Sequence, residues 1–226
     1  MKKCPECGNE YQQIGTHWRY NSDHRVQFTQ KQQEIIAGLL MGDGSLYRGN
    51  KNPYIQCDMI SKNYLEFLHD EFGILSNGVK FHISAEDNAQ RSRDSGFSPD
   101  AKAENYSDQY RWTTISHPQL HNWNWYGTGK KVWPADIELT PTVLKHWYCG
   151  DGHFNNAGSN KHIQIAMSNE SENTEKVTEM FKRAGFSTSN YNIIGNVCDL
   201  TFTVDESQRI FDYMGDPLPG FEYKWP

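Results

Sequence analysis

The chain has no apolar run approaching the ~20 residues of a membrane-spanning helix, and its first residues lack the apolar core of a secretory signal. Both absences argue for a soluble, intracellular, cytoplasmic protein. Cysteine is too sparse and too irregular for a disulfide framework: there are five, an odd number, and Cys57, Cys149 and Cys198 lie scattered. Basic residues are also in short supply. Lys and Arg number 22 against 28 Asp and Glu, for a net charge of −6, an awkward balance for any partner that is itself a polyanion. The average hides a split, because residues 1–33 hold five Lys or Arg and only three Asp or Glu. Acid collects instead in prospective helices (Glu66, Asp70, Glu71; Glu170, Glu172, Glu175, Glu179) and in a polar loop near residues 85–107. With those helices at the back of the molecule, another face is left free to be basic.

What the chain does have is a repeat. Ile36-Ala37-Gly38-Leu39-Leu40-Met41-Gly42-Asp43-Gly44 returns, 108 residues later, as Leu144-Lys145-His146-Trp147-Tyr148-Cys149-Gly150-Asp151-Gly152. Each is an apolar helical run closed by Gly-Asp-Gly, so the sequence reads as two related halves that each place a carboxylate just past a helix end. A helix C-terminus carries partial negative charge and prefers a cation beside it. An acid put there twice therefore needs a reason, and a divalent cation bound where two such helices meet supplies one.

The rest of the pattern follows the duplication. After Gly44, residues 45–52 and 53–60 read as a hairpin turning at Gly49-Asn50. A helix over about 62–72 keeps Tyr64, Leu65, Leu68 and Phe72 at helical spacing. Residues 79–84 and 109–116 form the next strand pair. In the second half, strands around 153–157 and 162–167 precede a helix capped by Asn169 or Ser171 and stopped at Gly185. A hairpin over 189–203 turns near Gly195-Asn196, and Asp205 or Ser207 starts a last helix. Helix, two strands, helix, two strands, helix is an α+β arrangement. The expected division is a small module over 1–28 and two tandem αββαββα halves over 29–134 and 135–226.

The first repeat closely resembles the LAGLIDADG motif of the homing endonucleases, and the second is similar except that His146 replaces the counterpart of Gly38 and Cys149 that of Met41. The resemblance implies that Ala37 and Gly38 let the motif helices pack closely and that Asp43 and Asp151 meet at the base of the pair, while the departure at His146 implies a looser or offset contact there. It also implies that each half bends four strands into a saddle-shaped antiparallel sheet, the two lining one long groove for double-stranded DNA. Alternation along a strand then offers Tyr47, Arg48, Lys51, Tyr54, Gln56 and Asp58 to the groove in the first half. Asn155, Asn156, Lys161, His162, Gln164, Asn190 and Asn192 are their counterparts in the second. Arg, Gln, Asn and Asp pair with base edges, whereas Lys more often meets phosphate.

Two segments in which lysine is followed at a short interval by proline end the halves, Lys130-Lys131-Val132-Trp133-Pro134 and Lys224-Trp225-Pro226. By the same resemblance Lys131 and Lys224, with Lys130 as alternate, deliver a basic group to each cleavage point. The implied reaction is hydrolysis of one phosphodiester in each strand, with Mg²⁺ held by Asp43 and Asp151 and short 3′ overhangs left behind. With both halves on one chain, the enzyme is expected to act as a monomer on a long, non-palindromic site. A non-catalytic DNA-binding regulator and an RNA maturase aiding intron splicing are the alternative functions of such a scaffold.

The N-terminus reads separately. Cys4-Pro5-Glu6-Cys7 is followed by His17 and His24, with nine residues between Cys7 and His17 and six between the histidines. Thiolates and imidazoles in this number make a closed structural Zn²⁺ site, although the spacing differs from that of the common two-Cys two-His finger. Arg19 and Arg25 stand beside it as phosphate contacts.

Overall fold

The computed structural model describes all residues except 49–51, 128–129, 135, 157–160, 168–173, 188–189 and 195–196, together with the side chains of 126–127, 130, 193–194 and 197. Its elements are β1 (Lys2–Lys3), β2 (Glu10–Tyr11), α1 (Ile14–Tyr20), α2 (Gln30–Met41), β3 (Gly44–Tyr47), β4 (Tyr54–Met59), α3 (Lys62–Phe72), β5 (Ser76–Ile83), α4 (Ala85–Asp94) and β6 (Gln109–Thr114). There follow β7 (Tyr126–Gly127), β8 (Lys130–Lys131), α5 (Pro141–Asp151), β9 (Gly152–Asn155), β10 (His162–Ala166), α6 (Thr174–Arg183), β11 (Asn190–Ile194), β12 (Val197–Thr201) and α7 (Val204–Met214). Among the described residues no helix is long and apolar enough to cross a membrane.

Two four-stranded sheets carry the fold, in the orders β3-β4-β6-β5 and β9-β10-β12-β11. Numbered within each half, both are 1-2-4-3, so the duplication seen in the motifs extends to the topology. Every described register is antiparallel. The chain forms two compact units, Met1–Thr29 with Ser45–Trp123, and Gln30–Gly44 with Asn124–Pro226.

In the first unit, the period of two along β4 buries Ile55, Cys57 and Met59 on the core face. Trp112 of β6 pairs in register with Cys57 and is fully buried; its indole N–H donates to Ser76 Oγ at 2.9 Å. Helix α3 covers this face with the four apolar residues that its spacing predicts, and its N-cap Ser61 accepts from the Tyr64 amide at 3.4 Å. The region near residues 85–107 is not the loop its polarity suggests. It opens with α4, where Ser84 accepts from the Asp87 amide at 3.0 Å and the basic residues Arg91 and Arg93 fall in the last turn. Only Ala89 and Ser92 of this helix are buried, and Tyr106 closes over Ser92 with a 2.9 Å hydrogen bond.

In the second unit, α6 lays Val177, Met180 and Phe181 into the core, with Phe181 against Phe202 and Trp147. Gly185, at φ +85°, ends that stretch as expected; the proposed caps Asn169 and Ser171 lie outside the described residues. Helix α7 begins earlier than Asp205 or Ser207. Its cap is Thr203, which accepts from the Glu206 amide at 3.2 Å, while the acids Asp205 and Glu206 occupy the favourable first turn. Ser207 instead accepts from the Ile163 amide at 2.8 Å, fixing α7 to the sheet.

Candidate active site and nucleic-acid interface

Helices α2 and α5 cross within the second unit, and glycines set how closely. A methyl group built on Gly38 would lie 2.5 Å from the Val143 carbonyl oxygen and 2.7 Å from His146 Cβ, so only glycine fits. His146 does not loosen the contact; its Cβ is seated against the bare backbone of Gly38, and its ring is buried. Farther down, a methyl on Gly150 would stand 3.1 Å from the Asp43 amide nitrogen and 3.4 Å from Asp43 Oδ2. A methyl on Gly42 would stand 3.5 Å from Gly150 Cα and 3.8 Å from Asp151 Oδ2. Each acid therefore lies against the glycine of the other motif, and the two carboxylates converge at the base of the pair.

Lysines meet the terminal carbonyls at both helix ends. Lys131 Nζ donates to the Gly42 carbonyl at 2.7 Å, and Lys224 Nζ donates to those of Cys149 and Gly150 at 2.7 and 3.3 Å. Unsatisfied carbonyls and an adverse dipole are thus met by cations in both copies. Lys131 is placed by the β7–β8 hairpin and by the Val132 amide donating to the Trp125 carbonyl at 2.8 Å. Lys224, 9% exposed, is held by Tyr148, whose hydroxyl donates to the Lys224 carbonyl at 2.8 Å. Asp43 keeps solvent access, yet the surrounding protein raises its pKa by desolvation, against the opposing pull of Lys224 and Lys131. Burial likewise lowers the pKa of Lys224, while Cys149, Asp43 and Asp151 work to raise it.

Each sheet presents a polar face. On the first, Tyr47 and Tyr54 stack with centroids 5.4 Å apart. Gln56 and Asp58 are not independent contacts. Gln56 is 7% exposed and gives its amide to Asp58 Oδ2 at 2.9 Å, while Asp58 accepts from Arg111 Nε and Nη2 at 2.7 and 2.6 Å. His82 Nε2 lies 2.9 Å from the same Arg111 Nη2. Arg111, His82 and Lys80 join this face because β6 pairs with both β4 and β5, a crossover that local periodicity does not reveal. Arg48 is exposed and donates to the Trp123 carbonyl at 2.9 Å; Lys51 lies outside the described residues. On the second sheet, register brings Asn155 opposite His162, Gln164 opposite both His153 and Thr201, and Asn192 opposite Asp199. Asn190, Asn192, Asn156 and Lys161 are exposed. His153, Asp199 and Thr201 were legible as strand residues but not as members of this face.

A family model for the LAGLIDADG DNA endonuclease family matches residues 33–191. The chain belongs to this family. Among solved structures, the homing endonuclease I-WcaI bound to its DNA recognition sequence is similar in fold, with a TM-score of 0.74 and 15% identity over 97% of this chain and 95% of that one. The meganuclease I-SmaMI bound to uncleavable DNA gives a TM-score of 0.52 and 11% identity over 88% and 87% of the two chains. No curated protein matches the sequence.

The LAGLIDADG match begins downstream of the N-terminal cluster, which the structure assembles all the same. One ligating atom from each of Cys4, Cys7, His17 and His24 falls within a set no more than 4.8 Å across. His17 Nε2 lies 3.2 Å from His24 Nδ1, Cys7 Sγ 3.6 Å from His17 Nε2, and Cys4 Sγ 4.0 Å from His24 Nδ1. A tetrahedral ion bonded at ~2.3 Å to sulfur and ~2.0 Å to nitrogen has edges of roughly 3.3 Å between nitrogens and roughly 3.6 Å between nitrogen and sulfur. The donor set fits that shape. Nearby, Arg19 is exposed, while Arg25 is half-buried and donates to the Trp18 carbonyl at 2.9 Å.

Proposed function

We propose that this LAGLIDADG protein is a site-specific homing endonuclease that hydrolyses one phosphodiester in each strand of duplex DNA, leaving short 3′ overhangs. It acts as a monomer on a long, non-palindromic target. The observation that carries the reading is the convergence of Asp43 and Asp151 across the Gly42–Gly150 contact, with a lysine anchored beside each. The fold shared with I-WcaI, whose structure is of the enzyme bound to its DNA recognition sequence, supports the choice of substrate.

Paired carboxylates are hard oxygen donors that suit Mg²⁺, and Asp43 and Asp151 would hold it. When bound, the ion lowers the pKa of water and offsets charge on the attacking and leaving oxygens. Lys131 and Lys224, fixed by the carbonyls of the motif ends, supply positive charge toward the phosphoryl oxygens or order the attacking water. Arg111, aligned by Asp58, and the amides of the second sheet read base edges; Arg48 and Lys161 meet phosphates. Cys4, Cys7, His17 and His24 hold a structural Zn²⁺ that fixes the N-terminal module.

The test is cleavage, with Mg²⁺, of a plasmid carrying the sequence formed by joining the DNA on either side of the gene. Linear product from the wild type, and none from Asp43→Ala or Asp151→Ala variants that still bind, is the expected result. A plasmid that is bound but never cut would hand the reading to a regulator. Stronger competition by structured intron RNA than by duplex would hand it to a maturase.

A further inference from the structure

A cleft of about 610 Å³ opens in the first unit between the N-terminal module and the edge of the first sheet. Its lining is unlike the rest of this acidic chain. Lys2, Arg19 and Arg25 contribute three cations, Gln12, Asn52 and Asn77 contribute amides, and no lining residue is acidic. Two of the cations are aimed by backbone. Lys2 Nζ donates to the carbonyls of Ile74, at 2.8 Å, and Ser76, which leaves one ammonium hydrogen to offer. Arg25 spends Nη2 on Trp18 and keeps its other donors.

Sites of this volume that take small organic ligands are mostly apolar. Cations together with amides instead match a run of phosphate and sugar oxygens, the groups that receive most protein–DNA hydrogen bonds. We propose that this cleft grips the sugar–phosphate backbone of duplex DNA flanking the target, a contact independent of sequence. The proposal rests on the DNA-cleaving reading and extends it. It accounts for the excess of base over acid in residues 1–33 of a chain whose net charge is −6: the module contributes electrostatic hold that the remainder is too acidic to provide.

The experiment titrates full-length protein into a fluorescently labelled duplex of arbitrary sequence across a series of KCl concentrations. Three variants are compared with wild type: Arg19→Ala and Gln12→Glu in the cleft, and Arg91→Ala, exposed on α4 away from the cleft lining. Among the described residues neither the Arg19 nor the Gln12 side chain makes a hydrogen bond, so both cleft variants are expected to fold. Arg19→Ala should lower the slope of log affinity against log salt by about 0.9 and weaken low-salt binding by roughly three- to tenfold. Gln12→Glu should weaken binding to a similar extent, and Arg91→Ala should change neither quantity. Cleft variants that bind with the wild-type slope and affinity would overturn the proposal and leave the endonuclease reading intact. Failure of the wild type to bind duplex at all would defeat that reading first. Poly-glutamate captured by the wild type but not by Arg19→Ala, with duplex binding unchanged, would assign the cleft to an acidic peptide and likewise overturn it.

Discussion

Replacing Gly38 with alanine adds one methyl group where α5 leaves no room. The new carbon would stand 2.5 Å from the Val143 carbonyl oxygen, 2.7 Å from His146 Cβ and 3.2 Å from the Trp147 amide nitrogen. The first and last are backbone atoms, so no side-chain rotation relieves them. Carbon atoms rest ~3.5–4.0 Å apart, so the helices must separate by roughly an ångström. Alanine returns about 1 kcal/mol of helix propensity, whereas overpacking costs about 1–3 kcal/mol and more where backbone must move. With two of the clashing atoms fixed in backbone the cost falls at the upper end, about 2–3 kcal/mol, so a net loss of about 1–2 kcal/mol is expected, read as a lower urea midpoint at unchanged m-value. Cleavage should fall further, by about 100-fold, because Asp43 stands two residues past the end of the displaced helix. Gly15→Ala in α1, where a methyl meets nothing within 4 Å, is the control. Gly150→Ala should reverse the balance, costing little stability but much activity, since its methyl touches Asp43. A Gly38→Ala protein as stable as wild type would refute the close crossing.

Acid should destabilise the fold through histidines kept neutral. Burial brings His146 down to about 3 and His117 down to about 4, the latter despite its hydrogen bond to the Val26 carbonyl at 3.0 Å. The unfolded chain takes up these protons near pH 6.5, so native stability is lost as pH falls from there and stops falling once the native histidines protonate. At pH 5 each contributes a loss of about 2 kcal/mol. Thermal melts at pH 7 and pH 5 should show His146→Leu losing less on acidification than wild type, and an equal loss would contradict the assignment. For the N-terminal site, elemental analysis of purified protein should find one Zn²⁺ per chain, depleted by Cys7→Ser or strong chelation, and a chain without zinc would dismiss the site.

The sequence was most readable where structure is local. Tyr64, Leu65, Leu68 and Phe72 announce α3 to its last residue, and the two Gly-Asp-Gly endings locate the acids. Helix α4 escaped because it has almost no apolar stripe to bury, with Ala89 its one buried apolar residue. The Ser84 to Asp87 spacing was the available signal, a short capping arrangement in polar surroundings. Arg111 escaped for a different reason. Its pairing with Asp58 spans 53 residues and exists only because β6 inserts between β4 and β5. Strand patterns assign residues to faces within a strand, but which strands adjoin is decided by packing of the whole sheet.

The two lysines bear on why an acid is tolerated at a helix C-terminus at all. They bind the carbonyls of Gly42, Cys149 and Gly150, cancelling the local negative end of each helix from within. That removes the backbone's objection to a nearby acid. Compensation is incomplete, because desolvation still outweighs both lysines at Asp43 and its pKa stays raised. A group in that condition is stabilised by one further positive charge, and with Asp151 meeting it at the Gly42–Gly150 contact a divalent cation would serve both acids at once. The same crossing explains why the copies need not be identical. Gly38 makes the tightest approach of the α2 glycines, so the corresponding position on α5 is free to be His146, whose Cβ fills the space that the missing side chain leaves.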